Sequence, residues 1–405
     1  MPTVRIYYDD AFAKKFSAQV LCCEPATGDE SVAPSKWRVT LDRTAFYPTS
    51  GGQPNDVGML GGATVTDVSE EEDQIIHVVD RAVTTGAIEG RVEWARRFDH
   101  MQQHSGQHLL SAVFHRQSAL PTVSFHLGSN ICTIDLHGPE PTVELLERAA
   151  RAANEIVYED RAVNVKYGRA EELVAAGVRK TVERAGVLRA IEIESLELQP
   201  CGGTHVRRTG QIGIIQIRGV SKIRQDWRVE FACGQRAEKR ALEDLAMLKA
   251  VAHRLNCSVA ETATAAERVV AERDVHFKTA RANMEKLAGL DAQAAVQTSE
   301  PGTEGLRIVT RVFSGVAPEY AQAFAREVAQ TEKTIALVAL TECGYVFFWQ
   351  HPSAGKEMNV LLAHALKRVT GKGGGSRDSA RGRLAEPSRT TELIDFAAER
   401  LRCTY

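Results

Sequence analysis

The spacing of apolar residues changes character several times along the chain. Over the first 95 residues they come in short runs rich in β-branched and aromatic side chains. Those runs lie at Val4 to Tyr8, Trp37 to Asp42, Ala63 to Val68 and Gln74 to Val79, and Gly, Pro, Asn and Asp separate them. Short strands in succession, without helices between them, predict a small barrel or folded sheet. From 96 to 117 the period lengthens, and Phe98, Met101, Leu109 and Val113 recur at helical spacing. The pattern then predicts a hairpin over 123–136, a helix over 142–157 and a strand over 161–167. A polar, irregular stretch runs to about 187, followed by a strand over 188–198 and paired strands at 212–218 and 228–233.

Residues 235–290 read as helix, interrupted at Asn256, and Ser258 with Glu261 has the spacing of a capping box for the second segment. In that segment Ala266, Val270, Phe277, Ala280, Met284 and Leu287 form a seam. It suits a helical hairpin or coiled coil, and equally a helix packed on its own domain. Ser, Glu, Pro and Gly over 291–305 predict a linker. A small α/β domain follows, with strands at 307–313, 335–340 and 345–350 and helices near 317–330, 356–369 and 388–402.

Composition narrows the class. With 405 residues the chain has room for two or three domains, and 43% hydrophobic and 25% charged residues are ordinary for a globular protein. No apolar run approaches the roughly 18 residues of a membrane span, and Met1 to Asp10 lacks a signal-peptide core, so no membrane role and a cytoplasmic home are expected. Eight scattered cysteines do not form a disulfide framework. The net charge of −2 gives no global pull toward nucleic acid. Any such pull must come from local clusters: Arg96-Arg97, Arg207-Arg208, Lys222 with Arg224, and Lys367-Arg368 through Lys372, Arg377, Arg381 and Arg383. Solvated charge pairs explain part of these.

The chemistry concentrates in two places. His104-Ser-Gly-Gln-His108 sets two imidazoles at i and i+4, on one face of a helix. Far along the chain, Cys201-Gly-Gly-Thr-His205 offers a thiolate and an imidazole across a Gly-Gly turn. Either pair alone is also explained by structural side chains. Together, three imidazoles and a thiolate suit tetrahedral Zn²⁺ held by His104, His108, Cys201 and His205. Ser105 stands where a zinc peptidase helix carries its general-base Glu, which argues against that class. Four protein ligands usually close a structural site, whereas catalysis needs an open position.

Phe46-Tyr-Pro-Thr-Ser-Gly-Gly-Gln-Pro54, then the 104–108 and 201–205 motifs, resemble in order and spacing the editing domains of alanyl-tRNA synthetase. The stretch Asp99 to Leu109 is most similar to the freestanding alanyl-tRNA editing proteins of the AlaX type. Gly371-Lys-Gly-Gly-Gly-Ser-Arg-Asp-Ser-Ala-Arg-Gly382 resembles the glycine-rich end of a C-terminal DHHA1 domain.

The resemblance implies an α+β protein. It would have a β-barrel-like subdomain at 1–90, a zinc-binding α/β editing core at 91–234, a helical connector at 235–299 and a DHHA1-like α/β domain at 300–405. It implies a trans-editing deacylase acting on mischarged Ser-tRNA(Ala), or Gly-tRNA(Ala), with no aminoacylation domain ahead of the barrel. Zinc would either activate water or orient the substrate's amino group. Thr122 and His126, with Ser124 as an alternative, would read the substrate hydroxyl. The N–H groups of Gly51-Gly52 or Gly202-Gly203 would stabilise an oxyanion, although a tight barrel turn explains Gly51 and Gly52 equally. Gln53, Arg207, Arg208, Lys372 and Arg377 would contact tRNA, and the 266–287 seam would suit a homodimer. The rival readings are a non-catalytic tRNA-binding protein with a structural zinc, a hydrolase of other small esters, and an editor of threonyl-tRNA.

Overall fold

The computed structural model describes residues 2–26, 36–178 and 186–403. They form two compact units, 1–250 and 251–405, and the division falls inside the helix Gly234–Arg254. The fold is α+β, with several separate sheets. Among the described residues no helix is long and apolar enough to cross a membrane.

In the first unit, six strands close into a barrel: Lys15–Pro25, Trp37–Leu41, Gln74–Val79, Ala63–Glu71, Gly58–Leu60 and Gly86–Val92. Alternation fills it. Phe16, Ala18 and Val20 point inward from the first strand, and Val39, Leu41, Val65, Val68 and Ile75 meet them. Val4 to Tyr8, expected as a strand, is extended only at Val4–Arg5. The chain then makes a single helical turn at Ile6–Asp9, which buries Tyr7 against Tyr47.

The barrel leads directly into the helix Trp94–Ser118, whose residues from Met101 to Phe114 are all buried. A four-stranded antiparallel sheet, Ile215–Ile223, Asp226–Cys233, Cys132–His137 and Thr122–Leu127, and the helix Val143–Tyr158 pack around it. A three-stranded antiparallel sheet, Val163–Arg169, Val187–Ile193 and Glu197–Pro200, delivers the chain to Cys201. The expected strand over 188–198 is therefore two strands joined by a turn. The expected irregular stretch carries a short helix, Ala170–Ala175, and part of it lies outside the described residues.

Arg97, read from sequence as part of a basic surface cluster, is instead completely buried. Its guanidinium pairs with the equally buried Asp56 carboxylate and donates to Ala11 O at 2.8 Å. Asp56 in turn accepts from the Tyr47 N–H. This ion pair fastens the helix to the loop that carries the Ser50-Gly51-Gly52-Gln53 turn.

In the second unit a five-stranded sheet runs in the order Arg307–Phe313, Thr334–Leu340, Tyr345–Gln350, Ser379–Leu384, Gly371–Gly375. Helices Met358–Val369 and Thr390–Arg402 cover one face, and Pro318–Val328 with the end of Thr262–Thr298 covers the other. The glycine-rich segment is thus an edge strand. A Cβ at Gly373 would stand 2.8 Å from Arg381 O and Gly382 Cα, so only glycine permits this pairing.

Ser258 and Glu261 form the expected capping box, which opens a single turn of 3₁₀ helix ahead of Thr262–Thr298. That helix continues to Thr298, so the linker expected from 291 is largely helix. Ala288, Ala292 and Ala295 bury against the second unit's core. The 266–287 seam is open over most of its length: Val270 and Phe277 are exposed, and Met284 packs on the core.

Candidate metal centre

The helix Trp94–Ser118 presents His104 and His108 one turn apart, and the 201–205 turn brings Cys201 and His205 to the same point. The four ligand atoms lie within 4.8 Å of one another. Cys201 Sγ is 3.5 Å from His104 Nε2 and 3.2 Å from His205 Nε2. Zinc bonds of about 2.3 Å to sulfur and about 2.0 Å to nitrogen at tetrahedral angles place S and N about 3.5 Å apart. The donor set and its spacing therefore fit zinc.

The protein holds two of the rings by hydrogen bonds to the other nitrogen. His104 Nδ1 lies 2.8 Å from Gln53 Oε1, and His205 Nδ1 lies 3.1 Å from Ser105 Oγ. His108 Nδ1 is 3.9 Å from the buried Glu197 carboxylate. Burial holds His104 and His205 well below the ordinary imidazole pKa, so both stay neutral, the form that binds metal. Burial pushes the Cys201 thiol up, while the Gly203 N–H, which donates to Sγ at 3.3 Å, and the charge of Arg189 pull it back. Arg189 also shapes the turn, donating to Cys201 O at 2.6 Å, Gly203 O at 3.0 Å and Tyr8 O at 3.2 Å.

Gly203 is small for a reason. A Cβ there would stand 2.2 Å from His104 Cε1, whereas one at Gly202 would meet only Tyr8 Oη, at 3.7 Å.

The site opens into a cleft of about 680 Å³, within the usual range for small-molecule sites. Tyr47, Ser50 and Gly51 contribute one wall, His104, Gln107, His108, Ser111 and His115 another, and 121–125 with Glu197 and 199–203 the rest.

Residues 188–230 match the family described as threonyl and alanyl tRNA synthetase second additional domain. The chain is 30% identical to the alanyl-tRNA editing protein AlaX-L of Pyrococcus horikoshii, over 98% of both proteins. The chain belongs to the alanyl-tRNA editing protein family. It is 28% identical to the editing protein Aarsd1 of Rattus norvegicus over 95% of each chain. To the alanine–tRNA ligase of Pyrococcus abyssi it is 31% identical, over 98% of this chain but 43% of the ligase.

In this member of the alanyl-tRNA editing proteins the structure gathers some of the expected site residues and disperses others. Thr122 lines the cleft, half-buried, and donates to Ser111 Oγ at 2.8 Å. Ser124 also lines it, bonded to Asp135, which Arg228 grips with two bonds. His126 is exposed and is not among the cleft-lining residues. Phe125 faces His104 at 5.3 Å, and strand alternation turns the next residue away.

Gly51 and Gly52, with φ of 55° and 83°, make the tight turn closed by Ser50 and Gln53. Gly51 lines the cleft. The Gly203 N–H is engaged with Cys201 Sγ.

Gln53 is fully buried behind His104. Arg207 and Arg208 are paired with Asp10 and Asp160 outside the cleft. Lys372 lines a second cleft on the C-terminal sheet with Arg381 and Arg383, and Arg377 is exposed on the turn between the last two strands. Sequence reasoning missed Ser105, Arg189, Glu197 and Ser111. Ser105 and Ser111 lay beside ligands inside a legible helix, while Arg189 and Glu197 carry no local signal.

Proposed function

We propose that the protein hydrolyses the ester of mischarged Ser-tRNA(Ala), or Gly-tRNA(Ala), acting in trans on tRNA charged elsewhere. The observation that supports this most is the convergence of His104, His108, Cys201 and His205 at distances that suit zinc, the first three on the wall of a cleft also lined by Thr122. Bound zinc would supply Lewis acidity beside the scissile ester.

The chain's own groups do the rest. The cleft walls at Tyr47, Gly51 and Phe125 hold the aminoacyl end against the metal wall. Thr122 Oγ1 donates to Ser111 and so keeps its lone pairs for a substrate hydroxyl. A serine side chain can fill that acceptor, and an alanine side chain leaves it unpaired. In the second unit, Lys372, Arg381 and Arg383 are basic beside the aromatic Tyr345, over which the Arg383 guanidinium sits at 5.2 Å. That combination suits the phosphates and bases of tRNA.

Four protein ligands also support a second reading, a tRNA-binding protein whose zinc is structural. One experiment separates the two: deacylation of Ser-tRNA(Ala) by the full chain, by Cys201→Ala, and by the full chain with a chelator and then restored zinc. Loss of metal and turnover in the variant, with recovery on adding zinc back, supports the deacylase. Undiminished turnover without metal overturns the catalytic role of zinc.

A further inference from the structure

Gln53 is 151 residues from Thr204 in sequence, yet its amide is shared between Thr204 and His104. Gln53 Nε2 donates to Thr204 Oγ1 at 2.8 Å, and the Thr204 backbone N–H donates to Gln53 Oε1 at 3.1 Å. A backbone N–H can only donate, so the atom it faces is the amide oxygen. That oxygen also faces His104 Nδ1 at 2.8 Å. The proton of His104 therefore sits on Nδ1, and Nε2 is left bare toward Cys201 Sγ.

Gln53 has no exposed surface, and all three contacts of its side-chain amide point at the two ligand segments. It stands on the loop between barrel strands Trp37–Leu41 and Gly58–Leu60, which the buried Asp56–Arg97 pair anchors to the ligand helix.

We propose that Gln53 is a positioning residue of the metal centre, and that through it the barrel loop is an integral part of that centre rather than a tRNA handle. The inference rests on the zinc reading above. A partner on the second ring nitrogen fixes ring orientation and tautomer, and losing such a partner typically weakens metal binding by roughly 10–100-fold. The donor half of the amide is expendable. A glutamate at this position accepts from His104 Nδ1 and from the Thr204 N–H, and the Thr204 hydroxyl then turns from accepting to donating.

The test measures zinc affinity of the full-length chain by competition with a chromophoric chelator, for wild type, Gln53→Met and Gln53→Glu, together with the melting temperature of each metal-free protein. The expected result is a loss of roughly 10–100-fold for Gln53→Met and rescue to within about threefold for Gln53→Glu. Isotope-edited NMR of His104 in the metal-free proteins adds a readout that packing alone does not move: a single Nδ1–H tautomer in wild type and Gln53→Glu, and mixed tautomers in Gln53→Met. Zinc affinity in Gln53→Met equal to wild type overturns the inference and leaves the zinc reading intact. If Gln53→Met does not fold, a folded Gln53→Glu that binds zinc tenfold or more weakly than wild type overturns it instead. A wild-type chain that takes up no zinc defeats both.

Discussion

Gly203 lies so close to His104 that a single methyl group would stand 2.2 Å from the imidazole Cε1 and 2.4 Å from Nδ1. At Gly202, its neighbour, a Cβ would make only an ordinary contact with Tyr8 Oη, and neither glycine has a positive φ. The two glycines are therefore not equivalent: one is demanded by contact and the other is replaceable. Gly203→Ala must displace the His104 ring or the turn, so it should lower zinc content severely. Gly202→Ala should bind zinc within a few-fold of wild type. Metal analysis of the two purified variants checks this, and equal zinc content would remove the steric argument.

How much of this centre could be read from sequence depends on the range of its interactions. The ligands were legible because each pair is local: His104 and His108 share a helix face, and Cys201 and His205 share a turn. Gln53, Arg189 and Glu197 were not, because their partners are distant in sequence and their residue types are ordinary. Arg97 read as surface charge because only the fold reveals Asp56 beside it. The same limit applies to the fold. The helix from 262 was cut short near 290 because Ala292 and Ala295 bury a face without adding a strong hydrophobic signal. The first barrel strand escaped notice although Phe16, Ala18 and Val20 alternate with polar residues, because the small Ala18 leaves its inward face with little hydrophobic signal.

Removing Arg97 should be among the most damaging substitutions in the first unit. Arg97→Met leaves the Asp56 carboxylate buried without its cation, and breaking such a pair costs about 3–5 kcal/mol. Neutralising both partners, as Arg97→Met with Asp56→Asn, should recover part of that loss, because the buried charge is gone while the new amide oxygen still accepts from the Tyr47 N–H. Denaturant unfolding of the two variants and wild type checks the order. A double variant no more stable than Arg97→Met would place the cost in packing and not in charge.

The barrel should weaken in mild acid through His77. The ring is fully buried, with Nε2 2.8 Å from Thr44 Oγ1 and Nδ1 3.1 Å from Val39 O, and burial lowers its pKa from 6.5 to about 4. Between those values the unfolded chain binds a proton that the folded chain refuses, so stability is full above pH 6.5 and falls as pH drops toward 4. The loss attributable to one such ring is on the order of 3 kcal/mol. His100, whose pKa burial also lowers to about 4, adds a similar slope. His77→Gln should start less stable at pH 7 but lose about half as much between pH 7 and 4. An unchanged acid slope in melting experiments would exclude His77 as its source.

Selectivity should depend on one hydroxyl in the cleft. Thr122 Oγ1 is fixed by its bond to Ser111, and Gln107 Nε2 fixes Ser111 Oγ in turn at 3.0 Å. The acceptor is thus oriented before substrate arrives, and a serine hydroxyl that donates to it gains a bond with little ordering cost. Thr122→Val keeps the shape and removes the acceptor. One neutral hydrogen bond contributes about 1 kcal/mol, so the preference for Ser-tRNA(Ala) over Ala-tRNA(Ala) in kcat/KM should fall roughly five- to tenfold, chiefly through slower serine release. Thr122→Ser, which restores the hydroxyl, should recover most of the preference. Parallel deacylation of the two tRNAs by both variants measures the ratio directly. A Thr122→Val protein with the wild-type ratio would show that the hydroxyl is read elsewhere in the cleft.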